Sequence, residues 1–389
     1  MLRLPTQDGR METYRPAGVA LAVRAPRLPL TRVAFAAAHV VSDPLRERNP
    51  WDARPAIDWE ATLGFRRYLW DQGLGLAEAM DTAQRGMGID WLTARELIER
   101  TMVAAKAHPM KPRVASGAGT DHVPLAELRD ADAIAVAYEE QMAAIEAAGS
   151  QIILMASRAF TAIGAGEETY RVVYRHLIRQ ARQPVILHWL GDMFDPALKG
   201  YWGSGDIARA SEFVLGLIME DPKKIDGIKI SLLDRAYEEA FRARLPDGVR
   251  LYTGDDFNYP GLIAGDGRYH SHALLGIFAA IAPAAAQALE ALATGDIAAY
   301  HRLFAPTVPL AREIFRAPTR FYKAGITFLA WLNGHQRHFI MPAGFQSSRD
   351  IVHYCSVFRL ADAAGLLSNP DMAVGRMRVL LALHGVEQG

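Results

Sequence analysis

Eight short apolar runs, each followed by an amphipathic helical stretch, recur every roughly 25–40 residues and constrain this chain more than any other feature. They are Thr31–Ala38, Leu74–Met80, Arg113–Ser116, Gln151–Ala156, Pro184–Trp189, Ile225–Ser231, Val249–Thr253 and Leu274–Ala279. Most lack a clean period of two, as expected of strands buried on both faces of a parallel sheet. The stretches between them carry helix punctuation. Asp58 caps one helix that Gly73 stops, and Thr93 with Glu96 reads as a capping box. Ala131–Ala148 ends at Gly149, and Glu167–Ala181 and Asp206–Glu220 follow the same logic. Repeated strand–helix units require parallel strands with right-handed crossovers. Eight units predict an α/β protein built as a closed (β/α)8 TIM barrel. No Gly-x-Gly-x-x-Gly follows the first run, which weakens a dinucleotide-binding sheet.

The rest of the chain divides around that barrel. Residues 1–30, with Pro5, Pro16, Pro26 and Pro29, read as an N-terminal arm or small hairpin, and 31–295 as the barrel. Residues 296–389 read as a C-terminal helical extension packed on it, punctuated by Pro306, Pro309, Pro318, Pro342 and Pro370. Composition narrows the partners. The chain balances 43 basic against 43 acidic residues with no basic stripe, so a nucleic-acid binder is not expected. Cys355 is the single cysteine, which excludes a disulfide framework and a cysteine metal site. The N-terminus lacks a signal-like apolar core, and the longest apolar run, Leu274–Leu292, is broken by Pro283. A cytoplasmic protein with no membrane partner is expected.

In such barrels the chemistry sits at the C-terminal ends of the strands. Alternation along Asp226–Ser231 sends Ile228 and Ile230 toward the helices and Lys229 and Ser231 into the barrel. A buried ammonium must be paired or have a lowered pKa, and a lysine of the second kind forms Schiff bases with carbonyls. The alternative is a structural lysine paired with an inward carboxylate such as Asp255. Thr253-Gly254-Asp255-Asp256 ends the next strand; the glycine permits close approach and the acids can orient hydroxyls or simply cap a helix. His188 ends the fifth strand, suited to proton transfer or to a core hydrogen bond. Leu190–Gly205 after it is long enough for a mobile lid. His39, Asp81 and Thr82 end the first two strands, Gly117–Asp121 follows the third, Ser157-Arg158 the fourth, and His270 and His272 precede the eighth.

With the strands placed, the sequence resembles the dihydrodipicolinate synthase / N-acetylneuraminate lyase family of class I aldolase barrels. Ile57–Ala61 resembles the family's first helix, Val114–Gly119 its third strand and glycine turn, and Pro184–Leu187 the strand carrying its catalytic tyrosine. Asp226-Gly227-Ile228-Lys229 is similar to the segment bearing the Schiff-base lysine, and Thr253–Asp256 to the strand after it. Gly295-Asp296 and Lys323-Ala324-Gly325 have counterparts near the family's C-terminus. The resemblance implies a lysine that condenses with a 2-oxo acid, followed by carbon–carbon bond chemistry or dehydration. It also implies a homo-oligomer, for which Phe321, Tyr322, Phe328 and Trp331 offer an aromatic interface unless they pack on their own barrel.

Departures mark a divergent branch. His188 stands where the family has tyrosine, and Asp81-Thr82-Ala83-Gln84-Arg85-Gly86 replaces a Thr-Thr-Gly-Glu loop that holds the substrate carboxylate. The arginine that follows the tyrosine in synthase members has no clear match in Leu190–Phe194. The leading expectation is a cofactor-free lyase or aldolase acting on a small oxo acid or sugar-derived carbonyl compound. Lys229 forms the imine and His188 moves protons, while His39, Asp81, Thr82, Ser231, Gly254, Asp255 and Asp256 bind substrate. Two alternatives are a metal-dependent isomerase, hydratase or hydrolase using His39, His188, His270, His272 and the two aspartates, and a non-catalytic binding barrel.

Overall fold

A computed structural model describes residues 1–46 and 54–388. Two strands, β1 (Leu2–Pro5) and β2 (Met11–Tyr14), pair as an antiparallel hairpin. Eight more follow: β3 (Ala34–Ala37), β4 (Gly75–Glu78), β5 (Val114–Ala118), β6 (Gln151–Leu154), β7 (Val185–Leu190), β8 (Ile225–Ser231), β9 (Arg250–Thr253) and β10 (His272–Leu275). They close in the order β10-β3-β4-β5-β6-β7-β8-β9, every neighbour parallel. The protein is a (β/α)8 TIM barrel.

Helix ends follow the sequence signals closely. Asp58 accepts from Ala61 N (2.9 Å) to start Trp59–Asp71. Gly149, at φ 85°, ends Ala131–Ala148 in the left-handed region that glycine enters without steric cost. One start is corrected: the second barrel helix is Trp91–Ala107, capped by Asp90, whose carboxylate accepts from Thr93 N (2.8 Å). A second correction concerns the eighth strand, which begins at His272 and ends at Leu275. Ile277–Ala280 is a helical turn, and Pro283 sits in the first turn of Ala282–Ala293, where its missing N–H has no helical partner to lose.

Two apolar layers fill the fold. Inside the barrel, Phe35, Ala37, Ala77, Ala115, Ile153, Ile186, Tyr252 and Leu274 pack together with Met80. Ile228 and Ile230 belong to the larger layer between strands and helices, so Lys229 and Ser231 point inward as alternation requires. One ion pair is buried between barrel and helices. Arg66 grips Glu78 through two hydrogen bonds of 2.6 and 2.8 Å, both side chains fully buried, and Thr101 donates to the same carboxylate at 2.6 Å.

Helices Ile297–Phe304, Thr307–Ile314, Lys323–Leu332, Ile351–Ala363 and Pro370–Leu383 follow the barrel. Tyr322, Phe328 and Trp331 are buried within this chain, so they are core rather than an exposed aromatic interface. The N-terminal segment is clamped to these helices: Asp362 accepts from Tyr14 Oη (2.7 Å), Ala17 N (3.0 Å) and Gly18 N (3.1 Å). Among the described residues no helix is long and apolar enough to cross a membrane.

Candidate active site

The C-terminal ends of β4 to β7 surround a cavity of about 420 Å³. Asp81, Gly119–Asp121, Met155–Arg158 and His188 contribute from the strand ends, and Arg320 and Lys323 close it from the C-terminal region. The segment after β7 is no free lid. Its Tyr201 and Trp202 are buried among Tyr170, Tyr174 and Phe213, and Tyr201 Oη lies 2.8 Å from Tyr174 Oη. The aromatic end of this segment is therefore anchored in the core, because large aromatic surface favours burial, while Asp192, Met193, Pro196, Ala197 and Lys199 stay exposed.

His188 and Lys229 are register partners across β7 and β8, and Lys229 pairs in turn with Tyr252 on β9. Gly254 makes room for the lysine, and Gly227 for the neighbouring Tyr252 ring. A Cβ at Gly254 would stand 2.1 Å from Ser231 Oγ and 2.8 Å from Lys229 Cε, and one at Gly227 would strike the Tyr252 ring at 2.7 Å. Lys229 is 7% exposed. Burial lowers its pKa, opposed by the charges of Asp81 and Asp256. Its amine has no hydrogen bond or ion pair among the described residues. The alternative partner, Asp255, is occupied elsewhere: its carboxylate accepts from Phe257 N (2.8 Å), Asn258 N (3.0 Å) and Asn258 Nδ2 (2.8 Å), which builds the turn after β9.

Asp256 faces the lysine instead. Burial pushes its carboxyl far above the usual range, while the Ile277 N–H (2.9 Å) and the Lys229 charge oppose that shift. A buried amine and a buried carboxyl that each disfavour charge together favour the uncharged pair. His188 is 2% exposed, and burial, then the Lys229 charge, holds its pKa well below the ordinary value. Its Nε2 lies 3.4 Å from Ser231 Oγ, and its Nδ1 has no partner.

On the opposite wall Tyr322 donates to Asp81 Oδ2 (2.8 Å), and the Thr82 hydroxyl lies 2.6 Å from Tyr322 Oη. Asp81 thus sits in the electrostatic range of both Lys229 and Lys323. Arg85, which the sequence reading passed over, forms two hydrogen bonds to Asp121 (3.0 and 2.7 Å) beneath the cavity rim. That pairing holds the Asp121 carboxyl down at about 2 against its burial.

His39 is not part of this cavity; its Nε2 lies 2.8 Å from Gln336 Oε1, its ring packs at a tilt against Phe65, and burial lowers its pKa to about 3. His270 and His272 lie at the other end of the barrel, where His272 Nδ1 accepts from Val33 N (2.9 Å) just before β3. Among the described residues no three His, Cys, Asp or Glu side chains converge as a metal site. The histidines and aspartates proposed as one ligand set are spread over separate places. Lys323 and Tyr322 were the functional candidates missed. Their signal was a lysine opening an otherwise apolar helix, Lys323–Leu332, the same feature that singled out Lys229.

Comparison with known proteins gives this arrangement a context. A family model described as "Protein of unknown function (DUF993)" matches residues 2–386. The chain belongs to that family. No curated protein matches it in sequence. Among solved structures, dihydrodipicolinate synthase from Bacteroides thetaiotaomicron is similar at TM-score 0.62 and 15% identity, covering 84% of this chain and 99% of that one. The enzyme from Aquifex aeolicus aligns at TM-score 0.59 and 11% identity, covering 92% and 99%. The enzyme from Oceanobacillus iheyensis aligns at 0.57 and 14%, covering 80% and 88%. The DUF993 chain therefore has the fold of the dihydrodipicolinate synthases.

Proposed function

We propose that this protein is a Schiff-base lyase or aldolase acting on a small oxo acid or sugar-derived carbonyl compound, with Lys229 as the nucleophile. One observation carries the reading: Lys229 is buried near the C-terminal end of a barrel strand, beside His188 and in the field of Asp256, and among the described residues its amine has no hydrogen-bond or ion-pair partner. A structural lysine would be expected to hold a carboxylate, whereas an uncharged amine is what addition to a carbonyl needs. The likeness to dihydrodipicolinate synthases supports it at the level of fold.

In this reading the Lys229 nitrogen pair adds to the carbonyl carbon, and the carbonyl oxygen takes a proton. That first proton moves from the attacking nitrogen. Asp256, favoured in its protonated form, supplies the second, and the oxygen leaves as water as the C=N bond forms, giving the protonated imine. The iminium then draws electrons from an adjacent C–C or C–H bond, and His188, favoured as neutral imidazole, accepts the proton released. Ser231 orients His188, while Asp81 and Thr82, tied through Tyr322, shape the substrate's other end. A homo-oligomer in the cytoplasm belongs to the same reading, and light scattering of the purified protein tests the assembly.

Borohydride trapping tests the chemistry. Incubation with pyruvate and a panel of oxo acids and sugar-derived carbonyls, followed by sodium borohydride, is expected to raise the intact mass by that of the compound less one oxygen. Peptide mapping should place the adduct on Lys229. An unchanged mass across a panel containing a compound the protein turns over would overturn the reading.

A further inference from the structure

Lys323 opens the helix Lys323–Leu332 and lines the cavity that His188 and Asp81 border, which Lys229 itself does not line, yet it is fully buried. Its surroundings leave its charge poorly met. Among the described residues the one hydrogen-bond partner of Nζ is the Met87 thioether sulfur at 3.1 Å, a weak acceptor, and the Tyr322 ring lies 5.3 Å away. Asp81, the nearest carboxylate in its field, already accepts from Tyr322. Arg320 lines the cavity from the exposed rim, its guanidinium over the Phe321 ring and, among the described residues, with no carboxylate bound to it. The other two cavity arginines are neutralised, Arg85 by Asp121 and Arg158 by Asp195 (2.6 Å). Met155, Leu128 and Phe194 add apolar surface to the same lining. A buried ammonium with a thioether for a partner is costly unless a ligand completes its shell.

We propose that Lys323, assisted by Arg320, is the anion-binding subsite of this cavity and selects carbonyl substrates bearing a carboxylate or phosphate group. The proposal deepens the Schiff-base reading and rests on it for the word substrate, but the subsite itself binds anions whether or not Lys229 reacts. It gives the chain a replacement for the carboxylate-holding loop it lacks, drawn from the C-terminal helices instead of from the end of β4.

Two measurements separate this claim from the fate of Lys229. In the first, borohydride trapping compares pyruvate with hydroxyacetone, and dihydroxyacetone phosphate with dihydroxyacetone. The acidic member of at least one pair should half-saturate at a concentration at least 10-fold lower, the better pair identifying carboxylate or phosphate. Lys323→Met should erase the preference, and Lys323→Arg should retain part of it. Equal trapping within both pairs, unchanged in Lys323→Met, overturns the subsite while leaving Lys229 in place.

In the second, succinate and inorganic phosphate are titrated calorimetrically into Lys229→Ala protein, which forms no imine. Binding of either that weakens at least 10-fold in Lys229→Ala/Lys323→Met supports the subsite even if no carbonyl compound is ever trapped. Binding of neither, or binding indifferent to Lys323→Met, overturns it. Thermal melts of both lysine variants confirm that each is folded.

Discussion

His188 and Lys229 stand on one rung of the barrel, paired across β7 and β8, so the imidazole and the amine are held side by side in the same buried layer. The Lys229 charge disfavours charge on His188, and burial disfavours charge on both. His188 is therefore expected to stay neutral from pH 5.5 to 8. An NMR titration following the histidine C–H signals, assigned through His188→Gln, should show no His188 midpoint in that window. A His188 midpoint near 6.5 would mean an open, solvated site. The same variant should lose roughly 10²-fold or more in turnover, as removal of a proton carrier does. Trapping at Lys229 should survive, since the nucleophile is untouched.

Asp256 and Lys229 act as one titrating unit, and removing the carboxyl has a predictable sign. Asp256 raises the Lys229 pKa through its charge, so Asp256→Asn should lower it further. The rise of borohydride trapping with pH should then begin at lower pH than in the wild type. Its plateau should fall on the order of 10²-fold, because the proton that releases water is gone. Stability follows its own rule. A carboxyl whose folded pKa is raised contributes fully below its unfolded value of 3.8 and loses that contribution as pH rises through the folded value. Asp256→Asn should therefore gain thermal stability relative to wild type between pH 4 and 8.

The barrel was legible because its signals are local. Apolar runs, caps such as Asp58 and stops such as Gly149 act within a turn or a strand. The inward aim of Lys229 followed from the two-residue period alone. What the sequence hid depends on contacts made over long separations. Asp255 and Asp256 are neighbours, yet one turns into its own loop and the other caps Ile277 beside the lysine, and no periodicity distinguishes them. His39 ends a strand as a catalytic residue would, but Gln336 in the C-terminal region claims its ring. Tyr322 reaches Asp81 across 241 positions of sequence, and that approach is a property of packing.

Arg66 and Glu78 test the fold independently of the chemistry. Both are fully buried and hydrogen-bonded to one another, with Thr101 and the His39 carbonyl (3.0 Å from Arg66 Nη1) completing the network. Arg66→Met leaves the buried Glu78 carboxylate with the Thr101 hydroxyl and the Ala79 N–H but no cation, and should cost about 3–5 kcal/mol in urea unfolding. Replacing both partners with Arg66→Met/Glu78→Leu should recover a large part of that loss, because the uncompensated charge goes with the pair. A loss below about 1 kcal/mol in the single variant would place the pair in solvent.

Lys323 ties stability to the anion subsite through its own titration. Burial lowers its pKa from 10.5 to about 8, opposed by the charge of Asp81. A lysine with a depressed folded pKa destabilises the protein while the unfolded chain holds the proton more tightly. The cost is present in full below about pH 8 and disappears as the pH climbs toward 10.5. At about 1.4 kcal/mol per pKa unit it is on the order of 3 kcal/mol at neutral pH. Lys323→Met, similar in volume and uncharged, should melt a few degrees above wild type at pH 7, and the gap should close by pH 10. Saturating anion should narrow it from the other side, since a ligand that binds only the folded, protonated lysine stabilises wild type alone. A gap constant from pH 7 to 10 would show that Lys323 keeps its charge at no cost, and the burial that defines the subsite would have to be abandoned.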